Sequence, residues 1–276
     1  MFYSLALRRR RERSGGHAND DGSVYSDRAS NDDVTERRYL DDSTVREFEA
    51  RVERVIDDGD TARVVLDATH FYPEGGGQPA DRGTLSGTAR WPVLDVQKTD
   101  EVYHTVEGDG PAVGERVIGE VDWDRRQSHM RYHTAQHLLS ALLLEEYDAP
   151  TTGNQLYADH ARLDCAYERF TDEDLADIET RMNELVEEAR TVRWYTLDRG
   201  QAEAELDPER TRLDLLPDSI TEVRIVEIGD PRTVFDRVAC AGTHVSNTGE
   251  IGHVEVTGRE TRGPDEERVG FVLGDE

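Results

Sequence analysis

Between Arg46 and about Asp122 apolar and polar residues alternate in five short runs, EFEARVERVI, TARVVLDAT, ARWPVLDVQKT, EVYHTVEG and ERVIGEVD, separated by Gly, Asp or Pro. Alternation with a period of two puts the apolar side chains on one face of a strand, and strands this short and this closely spaced predict a small barrel or sandwich. Within the series stands Phe71-Tyr72-Pro73-Glu74-Gly75-Gly76-Gly77-Gln78-Pro79, followed by Asp81 and Gly83. Three consecutive glycines permit backbone conformations and close approaches closed to other residues. The segment is either a wide turn at the barrel rim, the commoner case, or a loop that approaches RNA or shields a site. It is not a phosphate-binding Walker loop, because no Gly-Lys-Ser/Thr follows.

The period then changes. The run MRYHTAQHLLSALLLEEY keeps Met130, His133, His137, Ala141 and Leu144 near one stripe at helical spacing, which predicts a helix from Asp124 to about Tyr147. Pro150 and the Thr151-Thr152-Gly153 run are its stop signals. ARLDCAYERF alternates like a strand. Thr171 and Asp174 then have the form of a capping box, and Leu175, Ile178, Met182, Leu185 and Ala189 continue as an amphipathic helix. TEVRIVEIGD, TVFDRVAC, IGHVEVTG and ERVGFVLG read as strands. The predicted fold class is α+β: a small N-terminal β-barrel, then a unit in which two helices pack on an antiparallel or mixed sheet.

A length of 276 residues admits one large domain or two modest ones with a real core. The patterning assigns residues 34–122 to the barrel and 123–276 to the second unit. Residues 1–33 are rich in Arg, Asp, Ser, Asn and Gly without apolar period and are expected to be disordered. They are also expected to be a non-native extension: ordered patterning begins at Val34, and valine is what an alternative GTG start codon becomes on conceptual translation.

Charge changes the picture. Acidic residues outnumber basic ones 60 to 33, the formal net charge is −27, and Lys98 is the single lysine. The acids are spread through periodic segments, so the reading is a folded chain with an acidic surface. Lysine depletion and strong self-repulsion point to a halophilic cytoplasm, where salt screens the charge. Such a chain repels nucleic acid overall, DNA included, so any RNA contact needs a local arginine patch or high salt. Two cysteines exclude a disulfide scaffold and suit a reducing compartment. No apolar run approaches a membrane span, and in MFYSLALRRRRERS the charges follow the apolar stretch, the reverse of a secretory signal.

The chemistry is concentrated in His133-Thr-Ala-Gln-His137 and Cys240-Ala-Gly-Thr-His244. Two histidines four apart on a helix reach a single point, and the second pair adds a thiolate and a third imidazole. That N/N/S/N set suits zinc better than calcium or magnesium, which take oxygen ligands. Any one of these histidines alone is most simply a core or surface residue; their pairing among only nine histidines and two cysteines argues otherwise. His129, four before His133, and His253, alone in a strand, are assigned no ligand role, and Cys165 reads as a small buried hydrophobe. Four protein ligands describe a closed structural zinc, whereas a catalytic zinc keeps a position for water or substrate, and the spacing does not choose between them. Asp236 and Glu250 flank the second pair, as solvated acids in the plain reading, or as outer-shell partners or a general base.

At these motifs the chain resembles the free-standing alanyl-tRNA editing proteins (the AlaX group) and the editing domain of alanyl-tRNA synthetase. The resemblance rests on His133 through Leu139, Gly153-Asn154-Gln155, Arg162-Leu163-Asp164, Cys240 through His244 and Thr248-Gly249-Glu250-Ile251-Gly252, with Phe71 through Gln78 similar to the glycine-rich motif of the longer members. It spans about Val34 to Leu273 and departs at Ala241, where a second glycine is more usual; alanine suffices there unless φ must be positive. The resemblance implies a barrel followed by an editing domain of the threonyl/alanyl-tRNA synthetase second-additional-domain type. It further implies zinc on His133, His137, Cys240 and His244, and an amino-acid pocket containing Thr134 and Gln155, with Thr134 reading a serine hydroxyl. The implied activity is trans-editing, the hydrolysis of serine or glycine from mischarged tRNA for alanine in the cytoplasm. With about twenty residues after Gly252, neither ATP-dependent aminoacylation nor the coiled-coil extension of the family is expected. The alternative reading is a zinc-stabilised RNA-binding module without catalytic activity.

Overall fold

The computed structural model describes residues 35–208, 210–211, 213, 220–230 and 232–274, so the disordered, non-native stretch expected at 1–33 lies outside the described residues. The strands are β1 (Glu36–Arg37), β2 (Glu47–Asp57), β3 (Thr61–Leu66), β4 (Ala68–Thr69), β5 (Gly83–Ser86), β6 (Arg90–Lys98), β7 (Val102–Glu107) and β8 (Arg116–Val121) in the first half. Helix α1 (Trp123–Tyr147) leads to β9 (Thr151–Leu156), β10 (Ala161–Cys165), α2 (Asp172–Glu187), β11 (Val192–Asp198), α3 (Arg199–Glu205), β12 (Glu222–Asp230), β13 (Thr233–Ala239), β14 (Val254–Gly263) and β15 (Glu266–Leu273).

Six strands close a barrel in the order β2-β3-β7-β6-β5-β8. In β2 the alternation is literal: Phe48, Ala50 and Val52 are buried while Glu47, Glu49 and Arg51 are exposed. Val52, Val64, Leu66, Phe71, Leu85, Val96 and Val106 fill the interior. Five of the six strands are the five alternating runs. The sixth, β5, spans only four residues with one fully buried apolar side chain, Leu85, too little for a period to show.

The described residues of the second half form two antiparallel sheets, β14-β15-β10-β9 and β11-β12-β13, and no mixed sheet. Helix α1 lies against β9 and β10 of one, β13 of the other, and α2. That position corrects the expectation of a one-sided stripe. From His129 to Leu143 every residue except Arg131 is buried, while Leu144, placed on the stripe, is half-exposed. Burial on all sides erases the helical period. The capping box at α2 is present: Thr171 Oγ1 accepts from Asp174 N, and Asp174 accepts from Thr171 N. Ala189, expected on the α2 stripe, lies beyond its end with φ at 48°. Strand β9 occupies residues read as stop signals, because Thr151–Leu156 pairs with β10. Strand β11 and α3, a third helix, had no periodic signal. No helix among the described residues is long and apolar enough to cross a membrane.

Barrel and second half are joined through charge. Arg126 and Asp81 form an ion pair with no solvent exposure on either side chain. Arg126 also donates to the carbonyls of Ser43 (2.8 Å) and His70, and Asp81 accepts from the amide of Tyr72 at 2.6 Å. A buried pair survives only when its remaining hydrogen-bonding capacity is met, and here the surplus donors reach carbonyls of the barrel side. The pair anchors the first turns of α1 beside the glycine-rich segment, which sets up the site.

Candidate metal centre

Helix α1 carries His133 and His137 one turn apart, and the chain leaving β13 carries Cys240 and His244. All four are buried, and their ligand atoms lie within 4.8 Å of one another. Cys240 Sγ is 3.5 Å from His133 Nε2 and 3.4 Å from His244 Nε2. In a tetrahedron with Zn–S near 2.3 Å and Zn–N near 2.05 Å, sulfur and nitrogen stand about 3.5 Å apart. The donor set therefore fits a metal of zinc's size and softness.

Each imidazole is held from behind through Nδ1. His133 Nδ1 donates to Gln78 Oε1 at 2.7 Å, and Gln78 is itself held by the amide and hydroxyl of Thr243 (3.1 and 2.9 Å). His137 Nδ1 donates to Asp236 Oδ2 at 3.1 Å. His244 Nδ1 lies 3.2 Å from Thr134 Oγ1. The Thr134 hydroxyl gives its proton to the Met130 carbonyl at 2.9 Å, so it accepts from His244. All three rings are thus left with Nε2 to offer, the arrangement by which outer-shell partners orient metal-binding histidines.

Burial opposes ionisation of Cys240, but His133 and His244 outweigh it and hold the thiol well below its usual range. Burial, with His133 beside it, pushes His244 down to about 3. Burial also disfavours charge on His137, yet Asp236 and Cys240 raise it to about 9. The thiolate is the ligating form of Cys240, and His137, protonated at neutral pH, would give up its Nε2 proton to a metal.

The glycine-rich segment covers this cluster. Gly75 and Gln78 bridge as an antiparallel pair across Gly76 and Gly77, whose φ values of 59° and 83° make it a tight turn of I′ form, not a wide one. A side chain on Gly77 would strike Asn154, with a Cβ 2.4 Å from Nδ2. Close approach is equally required at Gly242, where a Cβ would sit 2.0 Å from His133 Cε1. A cavity of about 220 Å³ runs from His133 and Cys240 past Pro73–Gly76 and Ala239–Gly242 to Arg37 and Lys98.

Comparison with known proteins places this geometry. Residues 223–270, which include β12 from its second residue on, β13 and the Cys240–His244 loop, match the family model described as threonyl and alanyl tRNA synthetase second additional domain. Residues 4–125 match tRNA synthetases class II (A). The chain is 41% identical over 250 residues to the alanyl-tRNA editing protein AlaX-M of Methanosarcina barkeri, covering 88% of this chain and 100% of that one. The chain belongs to the AlaX-M family of alanyl-tRNA editing proteins. It is also 40% identical to the AlaX-M of Methanosarcina acetivorans, over 88% of this chain and 100% of the relative. The alanine--tRNA ligase of Halobacterium salinarum is 39% identical over 99% of this chain, which spans 30% of that ligase. The fold is accordingly that of a closed six-stranded barrel followed by an α+β unit with the second additional domain.

Of the residues that the AlaX resemblance assigned to an amino-acid pocket, Thr134 lies behind His244 and also accepts from Val245 N at 3.3 Å. Gln155 lies in β9, its amide donating to the Gly77 carbonyl at 3.1 Å. Neither is among the residues lining the cavity. Ala241 is exposed, lines the cavity and has no positive φ, so alanine meets the condition set for it. Asp236 reaches the cluster; Glu250 does not, accepting from Ser246 Oγ at the surface. His129 is a core histidine, kept neutral by burial and Arg125 with its pKa near 3. His253 is exposed and precedes β14 rather than lying in a strand. Cys165 is buried, and burial pushes its thiol up to about 12. Gln78 is the residue that pattern reading missed as a partner of His133; its position closing the glycine run was the available signal.

Proposed function

We propose that this chain is a zinc-dependent aminoacyl-tRNA deacylase acting in trans, which hydrolyses the ester joining serine or glycine to the terminal ribose of tRNA for alanine. The observation that carries the reading is the cavity that ends on His133 and Cys240 beneath the glycine-rich turn. A zinc serving only to close the fold has no need of a channel to its ligands. The names of the relatives support the substrate class.

His133, His137, Cys240 and His244 would hold the zinc, which when bound supplies Lewis acidity for an ester carbonyl or a water. Gln78, Asp236 and Thr134 fix the tautomers that make those donors available. Thr134 and Gln155 enter the reading through the family resemblance, and from these positions they act by holding His244 and the Gly77 carbonyl. The amide of Gly242 donates to Cys240 Sγ at 3.3 Å and so supports the thiolate from the lining segment. A cytoplasmic, salt-rich setting belongs to the same proposal, supported by the charge of −27, the single lysine and two free thiols.

One observation favours the second reading, a zinc-stabilised RNA-binding module without catalysis: all four donors are turned inward, enough to saturate a tetrahedral ion. Incubation in high salt with Ser-, Gly- and Ala-charged tRNA for alanine, with and without chelator, separates the two. Release of serine or glycine but not alanine, abolished by chelator, is expected. A folded, zinc-loaded sample that releases nothing from any of the three would leave the binding module.

A further inference from the structure

The only lysine of the chain stands at the mouth of the cavity, beside Arg37. Neither cation forms a hydrogen bond or ion pair with an acid among the described residues, although acids outnumber bases 60 to 33 and many of the described arginines, Arg38 beside Arg37 included, are paired. Glu74 lines the same cavity, but its carboxylate accepts from Gln97 Nε2 at 3.1 Å. The surrounding protein, and then the charge of Arg37, lower the pKa of Lys98. Two neighbouring cations without a counter-ion repel each other, an arrangement that an incoming anion relieves.

A second observation extends this. Arg37 also lines an adjoining cavity with Trp194, Tyr195 and Arg224. Arg224 donates Nε to the Leu40 carbonyl at 2.8 Å and Nη1 to the carbonyls of Cys240 and Gly242 (2.7 and 3.1 Å). Its Nη2 is buried with no hydrogen-bond partner. The guanidinium lies 5.3 Å from the centre of the Trp194 ring, which is half-buried. Unfilled donors beside an aromatic face are what a single nucleic-acid strand uses, phosphates on cations and a base against a ring.

We propose that Lys98 and Arg37 clamp the phosphodiester next to the ester-bearing nucleotide of the RNA, with Arg224 and Trp194 receiving the nucleotide before it. This rests on the reading of the chain as a deacylase of charged tRNA and names the residues that hold the strand's end at the cavity. A compact ammonium suits phosphate as a point charge, and Arg37 adds a directional fork. The clamp also answers how a chain of charge −27 takes up RNA: attraction is confined to the cavity mouth.

The test is binding of uncharged tRNA for alanine to the full chain, titrated against salt. Arg224 stays unaltered because it holds the Cys240 loop. Each of Lys98→Ala and Arg37→Ala should weaken binding about tenfold and flatten the slope of log affinity against log salt by about 0.7, the value for one contact to a single strand. Lys98→Arg should restore both. Unchanged affinity and slope in the double variant would overturn the clamp. Full retention of the salt effect in a wild-type protein that deacylates nothing would instead sink the enzyme reading and leave the clamp standing.

Discussion

Two buried histidine environments, one in each half of the molecule, differ in a way that separates packing from chemistry. In the barrel, His104 is fully buried, donates Nδ1 to the Val64 carbonyl at 3.0 Å and takes Nε2 to the Thr69 hydroxyl at 2.8 Å. Both nitrogens are satisfied by the protein itself, and burial holds the ring neutral with a pKa of about 4. In the second half, His133, His137 and His244 are equally buried, but each commits Nδ1 to a neighbour and directs Nε2 towards one point shared with Cys240. Burial does not mark the site. What marks it is that the supporting partners are complete on one side of every ring, while the other side converges.

The largest effect that would break this contrast is on metal content. Cys240→Ala should reduce bound zinc from about one equivalent to background, measured by elemental analysis, together with deacylation. His104→Leu should keep its zinc while losing about 1–3 kcal/mol of stability from the unpaired Thr69 and Val64 groups, measured by urea unfolding. Stoichiometric zinc in the cysteine variant would mean the ligand set is wrong.

A smaller effect sharpens the role of the supporting partners. Gln78→Met keeps side-chain volume but removes the acceptor for His133 Nδ1, and zinc should bind about 10- to 100-fold more weakly by chelator competition. Unaltered affinity would show that packing alone orients the ring.

The smallest concerns pH. The pKa of His104 is depressed in the folded state, so the unfolded chain binds the extra proton as pH falls from about 6.5 towards 4. Stability attributable to this ring is complete above the unfolded value and is lost on acidification through that window. Wild type should lose about 2 kcal/mol more than His104→Leu between pH 7 and pH 5, compared by urea unfolding at each pH. Equal losses would place the ring's neutrality in doubt.

Legibility followed signal length. Five barrel strands and the four strands from Glu222 onwards carry enough alternating residues for a period of two to stand out. Strand β5 is too short for that, and β9 is written in threonine and glycine that otherwise stop helices. Helix α1 was recognised but its surroundings were not: a helix buried on every side between two sheets, with polar Gln136 and Ser140 buried among its leucines, has no single apolar face to betray where the core lies. The four donors were legible because i, i+4 spacing on a helix is local geometry. Their supporting partners were not, since Gln78 and Asp236 lie 55 and 99 residues from the histidines they hold.

By itself the sequence determined what is short-range or additive: strand alternation, helix caps, the chemical character of the donors, and the net charge of −27. Tertiary structure decided what depends on separate segments meeting: the buried Arg126–Asp81 pair that ties the barrel to α1, the tight glycine turn that brings Gln78 to His133, and the cavity joining Lys98 and Arg37 to the cluster. The physical reason is that hydrogen bonds and ion pairs act over a few ångströms of space, whatever number of residues lies between the partners.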